Sequence, residues 1–403
     1  MPEPHQTIPL PVALRTIDEV LGGVRLPTDV VPVRRALGRT AVGDYVSRLE
    51  LPPFDKAAMD GFAVMAGDER DSYQLLETVP AGAVPAMKLR PGTATKVMTG
   101  APLPEGTGKV IVVEDTSTAG ETVRVRRHGK AANVCVRGED VRVGDLIVGG
   151  PAVLGPIEIA NLIACGVEEV EVSERPRVSI LATGSEIADS AAELCPGKIM
   201  NSNGPMLAAL CRMYEMDVVG ESIVPDERRA TAAAIRHALD ASDIVVLSGG
   251  VSVGDFDFVC QALGDAGLRL HFGGVSVKPG RPAAFAAGEG KAVFGLPGNP
   301  VSVYLGFHLF VLRAVRLLAG SQADGRTMTL PLAQDYRHRR SGRTAYVPFR
   351  LSPDGEVMPV ESHGSADIRA LLQTDGFFVV PEDAAAICAG ERVALLLTGR
   401  ELI

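Results

Sequence analysis

The pattern of apolar and polar positions predicts an α/β segment in the second half of the chain. From Arg177 to about Gly320, short apolar runs such as 178–182 and 244–247 alternate with helical patterns at 205–214 and 227–239. Apolar runs of this length suit strands that are buried on both faces. The alternation therefore predicts a mostly parallel sheet covered by helices.

The segments on either side of this region predict β structure. Residues from Leu51 to about 149 are rich in Pro and Gly and contain short β-type runs, of which 122–126 alternates as a half-buried strand does. Near the C-terminus, runs at 346–351 and 357–360 flank Pro353-Asp354-Gly355, which is typical of a hairpin turn. We expect a β-rich module before the α/β segment and a small β-domain after it.

Three helices are expected outside the regular alternation. Residues 14–21 have apolar positions at helical spacing, and 155–165 predicts a short helix in which Ile157 is among the buried residues. A last helix is expected from Pro300 or Val301 to Leu318. Because Pro297, Asn299 and Pro300 interrupt the apolar window before it, a buried core helix is favoured over a membrane span.

Composition narrows the class of protein. The chain has 403 residues, 46% of them hydrophobic, which is enough for several domains. A net charge of −9, 4% aromatic residues and no Trp argue against nucleic-acid binding. The six cysteines form no CxxC pair, and the N-terminus lacks the features of a signal peptide, so we expect free thiols, no membrane association and a cytoplasmic location.

Glycine-rich loops follow two of the predicted strands. Ser248-Gly249-Gly250 follows 244–247, and 295–300 carries two Gly-Pro bends before the last helix. Adjacent glycines let backbone N–H groups converge on an anion, and ligands of open α/β sheets bind beyond the carboxyl ends of strands. Asn299 is expected to cap the last helix, with Pro300 at its first position, so that the helix end favours negative charge.

Carboxylates gather at the same predicted edge. Glu186, Asp226, Asp255 and Asp257 each come just past a strand, and carboxylate oxygens are ligands that Mg²⁺ prefers. One such acid alone is more often a solvated cap, and Asp226 is also a candidate N-cap for the helix after it. The set predicts a divalent cation beside a phosphorylated ligand.

Two cations complete the predicted site. Lys278 and Arg281 flank Pro279-Gly280, and the prolines of this loop keep the two side chains near one another. Lys acts as a point charge and Arg as a bidentate fork for oxyanions. A second basic cluster, at 337–340 with Arg343, is expected to be a solvated strand edge.

Serine hydrolysis is a competing interpretation. Residues 250–254 match the GxSxG elbow that presents a nucleophile between a strand and a helix. No HGGG-type segment precedes it, and the later histidines, His271, His308, His338 and His363, have no telling context. We favour Ser252 as a loop residue that holds a ligand.

In sequence order, several motifs resemble the molybdopterin molybdenumtransferase family, which includes the C-terminal domain of gephyrin. The matching segments cover nearly the whole chain, and they are Ala58-Met59-Asp60-Gly61-Phe62-Ala63-Val64, Met98-Thr99-Gly100-Ala101-Pro102-Leu103-Pro104, Arg137-Gly138-Glu139-Asp140, Gly249-Gly250-Val251-Ser252-Val253-Gly254 with Asp257, Lys278-Pro279-Gly280 and Gly295-Leu296-Pro297-Gly298-Asn299-Pro300-Val301-Ser302.

The resemblance implies an elongated homodimer of multi-domain subunits with the fold class α/β plus β. The implied parts are residues 1–25, a helix that packs on the central domain; 26–46 with 147–175, a linker or first domain; 47–146, a β-rich inserted domain; 176–322, a molybdopterin-binding α/β domain with a mostly parallel sheet; and 323–403, a C-terminal β-barrel-like domain.

The resemblance also implies an activity. Such enzymes insert molybdate into adenylylated molybdopterin and release AMP with Mg²⁺ or a similar cation, and the molybdopterin adenylyltransferase is the expected functional partner. The active site is expected to be shared between subunits. The implied catalytic residues are Asp60, Thr99, Glu186, Asp226 and Asp257, of which the last three hold the metal; the implied substrate-binding residues are Ser248, Gly249, Gly250, Ser252, Lys278, Arg281, Pro297, Gly298, Asn299 and Pro300.

Three positions depart from the family's commonest pattern. Phe62 stands where Tyr is frequent, Ser185 where Asp is frequent and Arg281 where Lys is frequent. The other functions that stay open are the serine hydrolase, a scaffold like gephyrin and the related adenylyltransferase step. The segments around Met59-Asp60 and Met98–Pro104 favour insertion over adenylylation.

Overall fold

The computed structural model describes residues 7–250, 258–322, 328–338 and 342–398. The described parts of 1–29, 38–40 and 173–403 form one compact unit, and 30–37 with 41–172 form a second. The helices are α1 (Leu10–Leu21), α2 (Pro156–Ala164), α3 (Asn203–Met213), α4 (Arg228–Ala241), α5 (Phe258–Asp265), α6 (Pro300–Gly306) and α7 (Leu312–Leu318), with a π-helical turn at Phe307–Val311 and 3₁₀ turns at Val33–Arg35, Val113–Asp115, Ala191–Glu193 and Ile368–Gln373.

Helix α1 begins four residues earlier than the sequence pattern predicts, because a proline is tolerated in a first helical turn. Its buried stripe is Leu10, Ala13, Ile17 and Leu21, at the spacing of one helix face. This stripe joins the core that covers one face of the central sheet, and α1 packs beside α7. The dipeptide before it, strand β1 (Ile8–Pro9), pairs in parallel with residues 275–276.

The second unit is rich in short strands, as the sequence predicts. Its largest sheet has six strands in the order β10-β11-β7-β8-β6-β9. Strand β11 follows the predicted alternation, since Val123 is buried and Arg124 exposed. The strands from residue 28 to 173 are β2 (Thr28–Pro32), β3 (Thr40–Ala41), β4 (Tyr45–Val46), β5 (Lys56–Ala57), β6 (Gly61–Met65), β7 (Ser72–Val79), β8 (Thr93–Val97), β9 (Thr107–Val112), β10 (Thr116–Ala119), β11 (Thr122–Val125), β12 (Val134–Cys135), β13 (Leu146–Val148), β14 (Ala152–Val153) and β15 (Glu169–Ser173).

Helix α2 of this unit corrects one sequence expectation. Leu162 is fully buried, but Ile157 is 69% exposed. Five residues separate the two, which places them about 140° apart around the helix axis. A single apolar stripe therefore cannot bury both.

A six-stranded sheet forms the centre of the first unit, in the order β19-β16-β20-β24-β23-β21. The pairings between the first four strands are parallel and the last two pairings are antiparallel, so the sheet is mostly parallel as predicted. The strands from residue 177 to 296 are β16 (Arg177–Thr183), β17 (Ile187–Ala188), β18 (Ile199–Met200), β19 (Asp217–Val224), β20 (Ile244–Ser248), β21 (Arg269–Phe272), β22 (Val275–Lys278), β23 (Ala284–Gly288) and β24 (Lys291–Leu296).

Both faces of this sheet are buried, which explains the continuous apolar runs. Ile244 and Val246 face the core shared with α1, α3 and the helix that begins at Pro300, whereas Val245 and Leu247 face a second core with α4 and α5. The helical segment Pro300–Leu318 is long and apolar enough to cross a membrane by composition, but 78% of its most apolar window is buried in the protein.

The C-terminal residues complete a seven-stranded sheet in the order β1-β22-β27-β29-β31-β25, with β28 paired to β27. The hairpin predicted around Pro353-Asp354-Gly355 is confirmed, because β27 and β28 pair antiparallel across it. Strand β22 pairs with β27 in parallel, which ties the C-terminal strands to the central domain. The remaining strands are β25 (Met328–Pro331), β26 (Tyr336–Arg337), β27 (Thr344–Leu351), β28 (Val357–Pro359), β29 (Gly376–Val380), β30 (Ala386–Ile387) and β31 (Arg392–Leu397).

One ion pair secures α1. Both Nε and Nη2 of Arg313, on α7, donate to the Asp18 carboxylate at 2.6 Å, and the Arg313 side chain is only 10% exposed. Asp18→Ala is expected to lower the free energy of unfolding by roughly 3 kcal/mol, because a guanidinium that is mostly out of water loses its carboxylate. Urea unfolding would measure the change.

Glu19→Ala is the matched control, since Glu19 is the next residue of the same helix and is exposed. An Asp18→Ala variant no less stable than Glu19→Ala would show that the pair does not secure the helix.

Candidate active site

Three loops leave the central sheet side by side. Strands β16, β20 and β24 pair in parallel, with Ala182 opposite Ser248 and Ser248 opposite Leu296. The loop after β20 then bonds to the end of β24, because the Gly249 N–H donates to the Leu296 carbonyl at 3.0 Å. The loops that the sequence singles out as ligand-binding therefore meet at one edge of the sheet.

Glycine is required where the middle loop crosses the first. Gly249 has φ +98°, and a Cβ there would lie 2.3 Å from the Thr183 carbonyl oxygen. Gly250 has φ +68°, and its Cβ would lie 2.8 Å from Thr183 Oγ1. Any side chain at either position would push the two loops apart.

The loop after β16, which carries Glu186, is bonded to Asp226, which follows β19. Asp226 Oδ2 accepts the N–H of Ser185, the residue before Glu186, at 3.3 Å. The predicted N-cap role of Asp226 is wrong, because α4 begins one residue later and has Glu227 as its cap residue, without a side-chain cap bond. Lys198 Nζ donates to the Ser185 carbonyl at 2.6 Å and adds a positive charge beside this loop.

The structure describes two of the three acids that the resemblance implies as metal ligands, Glu186 and Asp226. Asp255 and Asp257 lie outside the described residues. Among the residues that are described, no group of three or more His, Cys, Asp or Glu side chains is arranged to hold a metal. Glu186 and Asp226 are thus the acids that the structure places at the edge of the sheet.

The competing nucleophile, Ser252, also lies outside the described residues. One of the histidines considered as its partner has another role. His308 is 6% exposed within the π-helical turn, where Nδ1 contacts the Tyr304 carbonyl at 2.8 Å and Nε2 contacts the Tyr214 hydroxyl at 3.3 Å. Burial lowers the pKa of His308 to about 4, so it is a neutral core residue.

The N-terminus of the last helix is occupied by a loop of the C-terminal region. The Val301 N–H donates to the Ser365 carbonyl at 3.1 Å, and Asn299 Nδ2 donates to Ser365 Oγ at 2.8 Å. The prediction that the Asn299 side chain caps this helix is wrong, because that side chain turns away to Ser365. Pro300 does occupy the first helical position.

Lys278 and Arg281 line a cleft between the central and C-terminal sheets of the first unit. The cleft has a volume of about 1410 Å³, and Pro297 and Asn299 also line it. Arg343, Arg350 and Arg369 line the same cleft. A cleft lined by several cations suits an anionic ligand.

The basic cluster near Arg343 therefore has a different position from the one predicted. Two members of this cluster, Arg343 and His338, line the cleft, whereas the sequence analysis expects a solvated strand edge. His338 stacks on Tyr336, and its Nε2 is buried without a hydrogen-bond partner in the described chain. Burial, with a smaller contribution from the Lys278 charge, lowers the pKa of His338.

Asp60 and Thr99 form a pair within the second unit. Asp60 Oδ1 accepts both the N–H and the hydroxyl of Thr99, each at 2.7 Å. The Thr99 hydroxyl, followed by its N–H, lowers the pKa of the Asp60 carboxyl, so this acid stays ionised at neutral pH. Both residues are exposed.

Comparison with known proteins identifies the family to which the chain belongs. The model of the MoeA N-terminal region, domains I and II, matches residues 8–166. The "Probable molybdopterin binding domain" matches 179–317, and the MoeA C-terminal region, domain IV, matches 330–398. The chain belongs to the MoeA family.

Its relatives cover it almost from end to end. The molybdopterin molybdenumtransferase of Staphylococcus aureus strain Mu50 is 30% identical, over 98% of this chain and 97% of its own length. That of Staphylococcus epidermidis strain RP62A is 30% identical over 90% of this chain and 89% of its own. Among solved structures, the molybdopterin biosynthesis MoeA protein from Pyrococcus horikoshii OT3 has a TM-score of 0.83 and 30% identity, covering 97% of this chain and all of its own.

Sequence reasoning missed two residues of this candidate site. Arg343 reaches the cleft because β27 pairs with β22, a strand that the sequence analysis did not predict. Ser365 reaches the helix end through its backbone carbonyl, for which a side-chain pattern gives no signal. A prediction of β22 from the alternation Val275-Ser276-Val277 would have indicated the first of them.

The fit between the loops can be tested at Gly249. Gly249→Ala is expected to destabilise the protein by about 1–3 kcal/mol, because the new Cβ meets a backbone carbonyl at a positive φ. Thermal unfolding would measure the loss.

Gly264→Ala is the control, since a Cβ there has no atom within 4 Å and the residue lies in α5. If both variants unfold at the same temperature, the loops are not as closely packed as described.

Proposed function

We propose that this protein is a molybdopterin molybdenumtransferase, which inserts molybdate into adenylylated molybdopterin and releases AMP. The observation that carries the proposal is the convergence of the loops after β16, β20 and β24, with Lys278 and Arg281 in the adjoining cationic cleft. Membership of the MoeA family, with relatives of that name over the whole chain, supports the same activity.

The chemistry of the proposed substrates fits these groups. Adenylylated molybdopterin carries a phosphoanhydride, and molybdate is a second anion. The Gly249 N–H is already bonded to Leu296, so the Gly250 N–H is the amide of this loop that suits a phosphate oxygen. Lys278 and Arg281 are suited to molybdate as a point charge and a fork. In this scheme water, and no protein nucleophile, attacks the phosphoanhydride, whose P–O bond breaks to give AMP and the phosphate of molybdopterin.

The acids at the sheet edge suit a divalent cation. Mg²⁺ takes one or two carboxylates from a protein and completes its shell with phosphate and water, so Glu186 and Asp226, joined by Asp257, are a sufficient donor set. When bound there, Mg²⁺ would neutralise charge on the phosphoanhydride. Asp226 is held toward the first loop by the Ser185 N–H.

The first test is AMP release from adenylylated molybdopterin with Mg²⁺, with and without molybdate. Release is expected to require molybdate and to stop with EDTA. Asp226→Asn is expected to lower the rate at least about tenfold, as loss of a metal-orienting group does. Asp189→Asn is the control, because Asp189 is an exposed acid near the same loop.

Two outcomes would contradict the proposal. AMP release that does not depend on molybdate would indicate a hydrolase. Labelling of Ser252 by a fluorophosphonate would then be the next experiment. No release from the folded protein would favour a scaffold role.

We further propose a homodimer in which Asp60 and Thr99 of one subunit serve the site of the other. The support is the exposed Asp60 carboxylate, which two hydrogen bonds from Thr99 hold in place and keep ionised at neutral pH. A mixture of Asp60→Ala and Asp226→Ala subunits should regain roughly a quarter of wild-type AMP release, since half of the random dimers carry one intact site of two. Heterodimers that stay inactive would exclude a shared site.

A further inference from the structure

Asn203 connects two of the loops at the sheet edge. It is the first residue of α3, and its Nδ2 donates to Ser248 Oγ at 2.8 Å and to the Gly298 carbonyl at 2.7 Å. Ser248 ends β20, and Gly298 follows the neighbouring strand β24. One amide group thus bonds to the loops that the proposed function assigns to phosphate.

The orientation of this amide is set by the loops. Its own Oδ1 is buried and has no hydrogen-bond partner in the part of the chain that the structure describes. An unpaired buried acceptor costs free energy. Turning the amide over would not remove that cost, because Oδ1 would then face the Gly298 carbonyl oxygen.

The two loops are also in direct contact. The Gly249 N–H donates to the Leu296 carbonyl at 3.0 Å, so the residue after β20 is bonded to the end of β24. Donors that hold an anion must keep their spacing, and small displacements at such sites lower the rate strongly. Asn203 is placed to fix that spacing.

We infer that Asn203 is a positioning residue, which sets the separation of the Ser248–Gly250 loop and the 295–298 loop around a phosphate-bearing ligand. The inference rests on the proposed function for its ligand, but the positioning itself concerns only the loops. Asn203 was not among the residues predicted from the sequence.

Asn201 offers a matched control two residues away. Its Oδ1 accepts the Gly204 N–H at 3.0 Å, so it stabilises the first turn of α3. No hydrogen bond joins its side chain to either loop in the described chain. Asn201→Ala should therefore lower helix stability and leave the loops in place.

Amide hydrogen exchange tests the positioning without substrate. Asn203→Ala is expected to speed exchange in peptides covering 244–250 and 291–298 at least about tenfold, because both loops lose a bond that closes them. Asn201→Ala should leave these peptides unchanged. Equal exchange in the two variants would overturn the inference, and Asn203→Asp replaces Asn203→Ala if the latter does not fold.

The second measurement separates positioning from general stability. Asn203→Asp keeps the size of the side chain, but its ionised carboxylate has no donor and faces the Gly298 carbonyl. We expect the KM for adenylylated molybdopterin to rise about tenfold or more at neutral pH and the defect to shrink at lower pH, where the protonated acid donates one bond. A defect that does not change with pH would contradict the positioning role.

Hydrogen exchange and AMP-release kinetics test the positioning role of Asn203 separately from the proposed function. If the wild-type protein releases no AMP, the proposed function fails, while the exchange rates still decide whether Asn203 positions the loops. If AMP release is normal in Asn203→Asp, the positioning role fails and the proposed function stands.

Discussion

Parallel hydrogen bonding between β16, β20 and β24 is the constraint on which the candidate site depends. Because the three strands run in one direction and in register, their carboxyl ends and following loops lie at the same edge of the sheet. Burial of both faces by two separate cores prevents any strand from slipping. The close crossing of the loop at Gly249 over Thr183 follows from this fixed arrangement.

The charged groups of the candidate site lie on separate strands and loops of the first unit. Carboxylates follow β16 and β19, a backbone amide follows β20, and cations from several segments line a cleft. The N-terminus of the last helix, which the sequence analysis assigns to an anion, is bonded to the Ser365 carbonyl. The same partial positive charge that attracts phosphates thus attaches one part of the protein to another.

The sequence predicted what depends on neighbours along the chain. Apolar runs located β16 and β20, and the loops after them were correctly placed at strand ends. Contacts between distant segments could not be predicted: the Asn299 side chain finds Ser365, Asp226 bonds to Ser185, and Arg343 enters the cleft only because β22 joins β27. Local signals such as a capping residue were overridden wherever a tertiary partner was available.

The ion pair between α1 and α7 has a consequence for how the protein is made. Asp18 and Arg313 are 295 residues apart, so at roughly 5–20 residues per second a ribosome needs about 15–60 s to deliver the partner of α1. During that time the apolar stripe of Leu10, Ala13, Ile17 and Leu21 lacks α7, the helix beside which α1 packs. The first helix to emerge is therefore among the last to be buried, and chaperones that shield apolar helices would have their longest opportunity at this end of the chain.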